Sequence, residues 1–292
     1  VIQEIAFQIA KRRAPVLAGV SALEGSSYST VEKYDEWRHE ELETEFLKFF
    51  GADMIAGKDV LDFGCGDGDL ALILNSLGAK SCIGVDIDAR SIAVAKNKVR
   101  GEPVSFICAS NTTGIDLDDA SVDVIACFDV MEHVMEYEAI MKEWLRVLRP
   151  GGKVLIHWQP WFHPYGHHGR NYIPIPWVHL FLNYRKRTEV CARIAELPDF
   201  NPAWQDKDED EQRTNRFRQS LESGSVEDDE FLNRLTLWRF EHLCGETGLK
   251  IERRVYVNFQ GPFVVRIFCQ LVSYIPFVRE FFTANAIYVL TK

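Results

Sequence analysis

Apolar and polar positions alternate along this chain in blocks whose period changes. Residues 31–50, VEKYDEWRHEELETEFLKFF, place Tyr34, Trp37, Leu42, Phe46 and Phe49 or Phe50 near helical spacing with charges between them. That pattern predicts an amphipathic helix. Residues 1–30 read as an arm, a short amphipathic piece followed by the Gly/Ser loop EGSSYST. From residue 59 strands and helices alternate. KDVLDFG is strand-like, LALILNSLG is helical up to Gly78, SCIGVDI is a strand, and ARSIAVAKNKVRG is a helix stopped at Gly101. VSFICAS and VDVIACFDV are strands, EYEAIMKEWLRVLRPGG is a helix, and KVLIHW is a fifth strand. Strands joined by helical crossovers predict an α/β fold with a doubly wound, mostly parallel sheet. The pattern breaks at Pro160 and resumes with the helix FLNRLTLWRFEHLCGETG, the strand KIERRVYVNF, an apolar piece at 261–282 and a last strand, AIYVLTK.

Composition narrows the class. The 292 residues are 47% apolar and 26% charged, a globular profile that excludes wholesale disorder, collagen and disulfide scaffolds. Acids outnumber bases 43 to 33, a net charge of −10. Holding duplex nucleic acid by its phosphates needs the opposite sign, so no nucleic-acid partner is expected. Much of the acidity is local, because residues 206–230 hold ten acids and four bases and read as a solvated or mobile surface segment. Seven scattered cysteines, an odd number with no CxxC or zinc spacing, read as small buried thiols in a reducing cytoplasm. The start, VIQEIAFQIAKRRAPV, carries its bases after its apolar stretch and does not read as a signal peptide. No run reaches the roughly 18 uncharged apolar residues of a membrane helix. The expected location is the cytoplasm.

The chemistry-bearing stretch is Val60-Leu61-Asp62-Phe63-Gly64-Cys65-Gly66-Asp67-Gly68-Asp69-Leu70, a strand running into a glycine-rich turn and then a helix. Glycines there let backbone approach a ligand, and the helix start offers free N–H groups. The spacing is Gly-x-Gly-x-Gly, not the Gly-x-Gly-x-x-Gly of dinucleotide binders. Carboxylates at 62, 67 and 69 would repel a pyrophosphate and suit a ligand with an ammonium or sulfonium end. Asp86, in Gly84-Val85-Asp86-Ile87-Asp88, ends the next strand, where a carboxylate can accept both hydroxyls of a ribose.

VLDFGCGDG, GVDID, FDVMEHV and LRPGGKVLI, in this order over about residues 58–158, resemble the class I S-adenosylmethionine-dependent methyltransferases. The resemblance implies a Rossmann-like seven-stranded sheet whose final strand is antiparallel. It implies S-adenosyl-L-methionine as cofactor and S-adenosyl-L-homocysteine as product. Asp62, Gly64, Cys65 and Gly66 would line the methionine end, Asp86 would hold the ribose, and Ile87 would pack on adenine. Ser110 and Asn111 follow the third strand, where the family places an adenine contact more often made by Asp. Phe128 falls where the fourth strand meets the methionine moiety. Glu132 and His133 follow the fourth strand; both could be catalytic, but as family-pattern residues they more often shape that loop.

On this reading residues 1–50 are an arm and cap helix, and 51–159 are the cofactor-binding core. Residues 160–230 are an insertion covering the acceptor, and 231–292 complete the sheet with a second lid at 261–282. The run from His157 to Tyr172 offers four histidines and five aromatic rings in 16 residues, starting on the crevice side of the fifth strand. His157, His163, His167 and His168 are candidates for a general base serving an oxygen acceptor. His133, Trp161, Tyr165, Tyr172 and Trp177 are candidates to hold the acceptor. Tyr28, Tyr34 and Trp37 could close over the cofactor. The run holds no acid to complete a ligand set, so no metal is expected. IPIPWVHLFLNYRKR and GPFVVRIFCQLVSYIPFVREFF are apolar with basic edges and suit a lid over a hydrophobic acceptor, with a dimer contact or a membrane surface as alternatives. The expected activity is methyl transfer to a small molecule, at oxygen, in biosynthetic tailoring. Nitrogen or carbon acceptors, a non-catalytic cofactor-binding subunit and a nicotinamide oxidoreductase are the alternatives.

Overall fold

The computed structural model describes residues 1–21, 31–200, 215–224, 232–259 and 263–292. The chain divides into two compact units. One holds residues 1–33 and 162–232; the other holds 34–161 and 233–292.

The second unit is built on a seven-stranded sheet. Its elements begin with α2 (Val31–Phe49), β1 (Asp59–Phe63), α3 (Asp69–Ser76), β2 (Ser81–Asp86), α4 (Ala89–Lys98) and β3 (Val104–Cys108). They continue through β4 (Val122–Phe128), α5 (Tyr137–Val147) and β5 (Leu148–Trp158). After the excursion come α8 (Leu237–Thr247), β6 (Lys250–Asn258), α9 (Phe263–Val272), α10 (Pro276–Phe282) and β7 (Thr283–Thr291). The strand order is β3-β2-β1-β4-β5-β7-β6. The first five strands pair in parallel, and β7 is antiparallel to both its neighbours. This is the doubly wound, mostly parallel sheet expected from the alternation of strands and helices.

Side chains alternate across the sheet with period two, which gives each face its own core. Leu61, Ile125, Val154, Ile156, Tyr288 and Leu290 pack with α5 and α8 through Trp144 and Phe240. Val60, Val124, Ala126, Leu155, Ile287 and Val289 pack with α2, α3 and α4 through Phe46, Leu74 and Ile92. The last turn of α8 is closed by Gly248, and its first turn is held by Thr236 Oγ1 and by the buried Glu280 carboxylate, which accepts the Leu237 N–H.

One boundary differs from the sequence reading. The stretch LRPGG, expected to close the helix before β5, already belongs to β5. Pro150 cannot continue a helix, and two glycines follow it. The β4–β5 register jumps between Val122↔Leu148 and Val124↔Lys153, a bulge that later places His157 opposite Phe128. Arg149 anchors the bulge through ion pairs to Asp59 (2.8 Å) and Asp123 (2.9 Å).

In the first unit, α1 (Ile2–Ser21) is a full helix where the sequence suggested only a short amphipathic piece. It packs with α6 (Tyr184–Ala195), which in turn packs with α7 (Arg216–Ser223). Phe7, Ala10, Tyr172, Ile173, Val190 and Phe200 form the core, and Arg193 lies over the Phe7 ring while pairing with Glu4 at 2.9 Å. The strongly acidic stretches 206–214 and 225–230 lie outside the described residues, as does Tyr28. Among the described residues no helix is long and apolar enough to cross a membrane.

Candidate active site

The carboxyl ends of β1, β2 and β4 meet at the glycine turn. Gly64 has φ 77°, and a methyl group there would overlap the Val130 side chain. Its N–H and that of Cys65 both donate to Val85 O, at 2.8 and 3.1 Å, which ties the turn to β2. Gly68, at φ 85°, starts α3 where a Cβ would run into Phe106. Asp62 on β1 is 1% exposed. It accepts the Ala71 N–H, and its Oδ2 has no partner among the described residues. Burial, together with the nearby Asp86 charge, raises its carboxyl to about 8. Asp86 ends β2 half-buried. Its Oδ2 accepts the Gly66 N–H and its Oδ1 the Asp88 N–H, both at 2.8 Å.

Two adjoining cavities open around this turn. One, of about 410 Å³, is mostly apolar; Ile87, Ala109, Val130, Val134 and Ile140 line it, with Asp86, Asn111 and His133 among its polar groups. Ile87 is 60% exposed, an apolar side chain left open at the cavity wall. The other, of about 310 Å³, is acidic, lined by Glu41, Glu45, Asp62, Asp67, Asp69 and Asp129 together with Cys65, Gly66 and Phe128. Gly64, Asp129 and Val130 line both.

Behind the shared wall stands His157. Its Nδ1 lies 2.7 Å from Asp129 Oδ1, and its ring stacks on Phe128 at 4.3 Å and 12°. Its Nε2 is buried, without a hydrogen-bond partner among the described residues, 3.7 Å from Glu45 Oε1. The loop after β4 is shaped from within the unit. Asn233 donates to Met131 O (2.7 Å) and Val134 O (2.8 Å), and Glu132 accepts the Gln159 N–H at 3.4 Å. Burial and Asp129 raise the Glu132 carboxyl to about 8. Asp129, Glu45 and Asn233 were not singled out from the sequence. The acid at the very end of β4 was the available signal; the other two needed the fold.

The remaining sequence candidates separate. Asn111 lines the apolar cavity and folds back to accept from Thr113 N (2.9 Å), while Ser110 is exposed beside it and does not line the cavity. Trp161 belongs to the sheet unit and donates its N–H to Leu235 O at 2.9 Å. His163, Tyr165, His167, His168, Tyr172 and Trp177 belong to the other unit. There His163 and His167 are buried, and their Nδ1 atoms accept the N–H of Tyr165 (3.3 Å) and Gly169 (3.0 Å). Burial lowers His163 to about 3 and takes His167 well below the usual imidazole range. His168 is exposed, at φ 52°. Tyr172 is a core residue between Phe200 and Phe217. Tyr165 lies edge-on to His163 and His167, and Trp177, at φ 57°, donates its N–H to Pro164 O at 2.6 Å.

Comparison with known proteins agrees with this geometry. Residues 61–156 match the methyltransferase domain family. A ubiquinone biosynthesis O-methyltransferase of Idiomarina loihiensis is 38% identical over 106 residues, 36% of this chain and 43% of that protein. A second enzyme of that name, from Cupriavidus pinatubonensis, is 33% identical over 35% of this chain and 41% of its own length. An uncharacterized methyltransferase of Mycobacterium ulcerans is 35% identical over 40% of this chain and 45% of its length. The chain thus spans about two fifths of the length of these curated relatives. Among solved structures, the [4+2]-cyclase SpnF superposes with a TM-score of 0.51 at 14% identity, covering 87% of this chain and 80% of that one. The YcgJ protein of Bacillus subtilis gives 0.50 at 16%, covering 87% and 98%. These two likenesses speak to the fold alone. The glycine turn after β1 and the acid that ends β2 both lie within residues 61–156, the stretch over which this chain is similar to the methyltransferase domain family.

Proposed function

We propose that this protein binds S-adenosyl-L-methionine in the two adjoining cavities and transfers its methyl group to an oxygen of a hydrophobic small molecule, releasing S-adenosyl-L-homocysteine. The observation that carries the reading is the division of the crevice into one apolar and one acidic cavity at the glycine turn. A nucleoside with a cationic amino-acid tail has the same division. When bound, the cofactor supplies a methyl group already activated on a positive sulfur. Asp86 keeps a free lone pair on each oxygen for the ribose hydroxyls, and the exposed Ile87 suits the purine face. Asp62, with an orphaned buried oxygen, suits the ammonium end.

Oxygen is favoured by the likeness of the core to enzymes named for O-methylation. A hydroxyl acceptor needs a base. The apolar side chains of α9–α10 support a hydrophobic acceptor, and the net charge of −10 argues for a small molecule over nucleic acid. The experiment is calorimetric titration with S-adenosylmethionine and S-adenosylhomocysteine on wild type and Asp86→Ala, followed by an acceptor screen that reads S-adenosylhomocysteine formation. One-to-one binding weakened by the substitution supports the reading. Folded wild type that binds neither ligand would overturn it, and binding without turnover on any acceptor would leave a cofactor-binding subunit in its place.

A further inference from the structure

We infer that Asp129, held in place by His157, is the carboxylate that reads the positive sulfur, so that the site distinguishes the charged donor from its neutral product. This rests on the cofactor proposed above. S-adenosylmethionine is linear: purine nucleoside, then sulfonium, then amino acid. If the apolar cavity takes the first and the acidic cavity the last, the residues lining both face the sulfur between them. Those residues are Gly64, Asp129 and Val130, and Asp129 alone of the three carries a charge.

A sulfonium has no N–H or O–H to donate, so charge and ring faces are the means of recognising it. Asp129 is built to present charge. It sits at φ 56°, in the left-handed region, with its N–H donated to His157 O at 2.8 Å and its side chain half exposed. His157 fixes the carboxylate through Nδ1 at 2.7 Å. The imidazole cannot swing away, because it is 1% exposed and lies between Phe128 (4.3 Å) and Phe49 (5.8 Å). Its buried Nε2 is aimed at Glu45, which also lines the acidic cavity. His157 is thus a positioning residue.

The test is equilibrium binding of S-adenosylmethionine and S-adenosylhomocysteine to wild type, Asp129→Asn, His157→Leu and His157→Asn. Asp129→Asn keeps the size of the side chain and removes the charge. It should weaken the donor about tenfold while changing the product less than about twofold, the size expected for one partly exposed charge pair. His157→Leu should reproduce that loss of discrimination. His157→Asn, whose amide N–H stands near the place of Nδ1–H, should recover most of it. A donor-to-product affinity ratio that stays within about twofold of wild type in Asp129→Asn overturns the inference, whether both ligands weaken or neither does. Wild type that binds neither ligand would instead overturn the cofactor reading, and the two failures are told apart by that control.

Discussion

Replacing Asp62 by Asn should change how stability depends on pH, and the structure fixes the direction. The folded protein holds the Asp62 proton up to about pH 8, because burial and the Asp86 charge oppose ionisation. In the unfolded chain the same carboxyl ionises near pH 4. Between those values the folded state binds more protons, so the free energy of unfolding falls as pH rises. Four units at about 1.4 kcal/mol each set a ceiling of roughly 5–6 kcal/mol. Relaxation and water entry reduce that to an expected ~2–4 kcal/mol between pH 5 and 8. The Asn variant keeps an acceptor for the Ala71 N–H but places an amide where Oδ2 has no partner, costing about 1–3 kcal/mol at every pH. Wild type should therefore be the more stable at pH 5, with the difference shrinking or reversing by pH 8. Urea unfolding of both proteins from pH 5 to 8, at fixed ionic strength and without ligand, measures this difference and cancels the other titrating groups. A difference that stays flat within about 0.5 kcal/mol would refute the reasoning, since it would mean that folded Asp62 is ionised throughout.

Other outcomes follow from the same geometry. Binding a cationic ligand beside Asp62 should expel its proton, so titrations with S-adenosylmethionine at pH 7 should release up to about one proton, read from the dependence of binding heat on buffer ionisation enthalpy. Asp86→Ala should weaken the cofactor about 10- to 100-fold in calorimetry, the loss of charged hydrogen bonds to the ribose and of the Gly66 tie. Gly64→Ala should lower stability by about 1–3 kcal/mol, because it combines φ 77° with overlap on Val130; pairing it with Val130→Ala in thermal melts should recover part of that loss. Of the seven cysteines Cys108 alone is exposed, and burial raises several of the rest, so a thiol reagent should label one group in the native protein and all seven after denaturation.

The sheet was legible because its signals are local. The run from Val60 to Leu70 shows a strand, a turn and a helix start in eleven residues, and Asp86 follows at the end of the next apolar run. What stayed hidden was set by pairing across strands. Nothing near Asp129 in the chain announces His157; they meet because β4 and β5 lie side by side in a particular register. That register depends on the bulge at Leu148–Gly152, which reads in sequence as the tail of a helix. With the register seen at Val122↔Leu148 carried along the strand, Phe128 would face Val154 and the imidazole would not reach the acid. The histidines from 163 to 168 show the opposite limit. Their clustering suggested reactivity, while two of them spend Nδ1 on backbone N–H groups two residues on, a loop-forming use that composition does not distinguish.

The hydrogen bond between Trp161 N and Leu235 O bears on how this architecture can change. The chain leaves the sheet unit after Trp161 and returns to it at Asn233, and Arg234 covers the Trp161 ring at the junction. To the sheet, everything between is a bight whose neck is already stitched. The entropy of closing such a bight grows only with the logarithm of its length, by about 0.6 kcal/mol for each doubling. Residues can be gained, lost or exchanged beyond the stitch while the strands and the glycine turn keep their geometry. An excursion of a different length beyond this neck should therefore cost the sheet unit little stability.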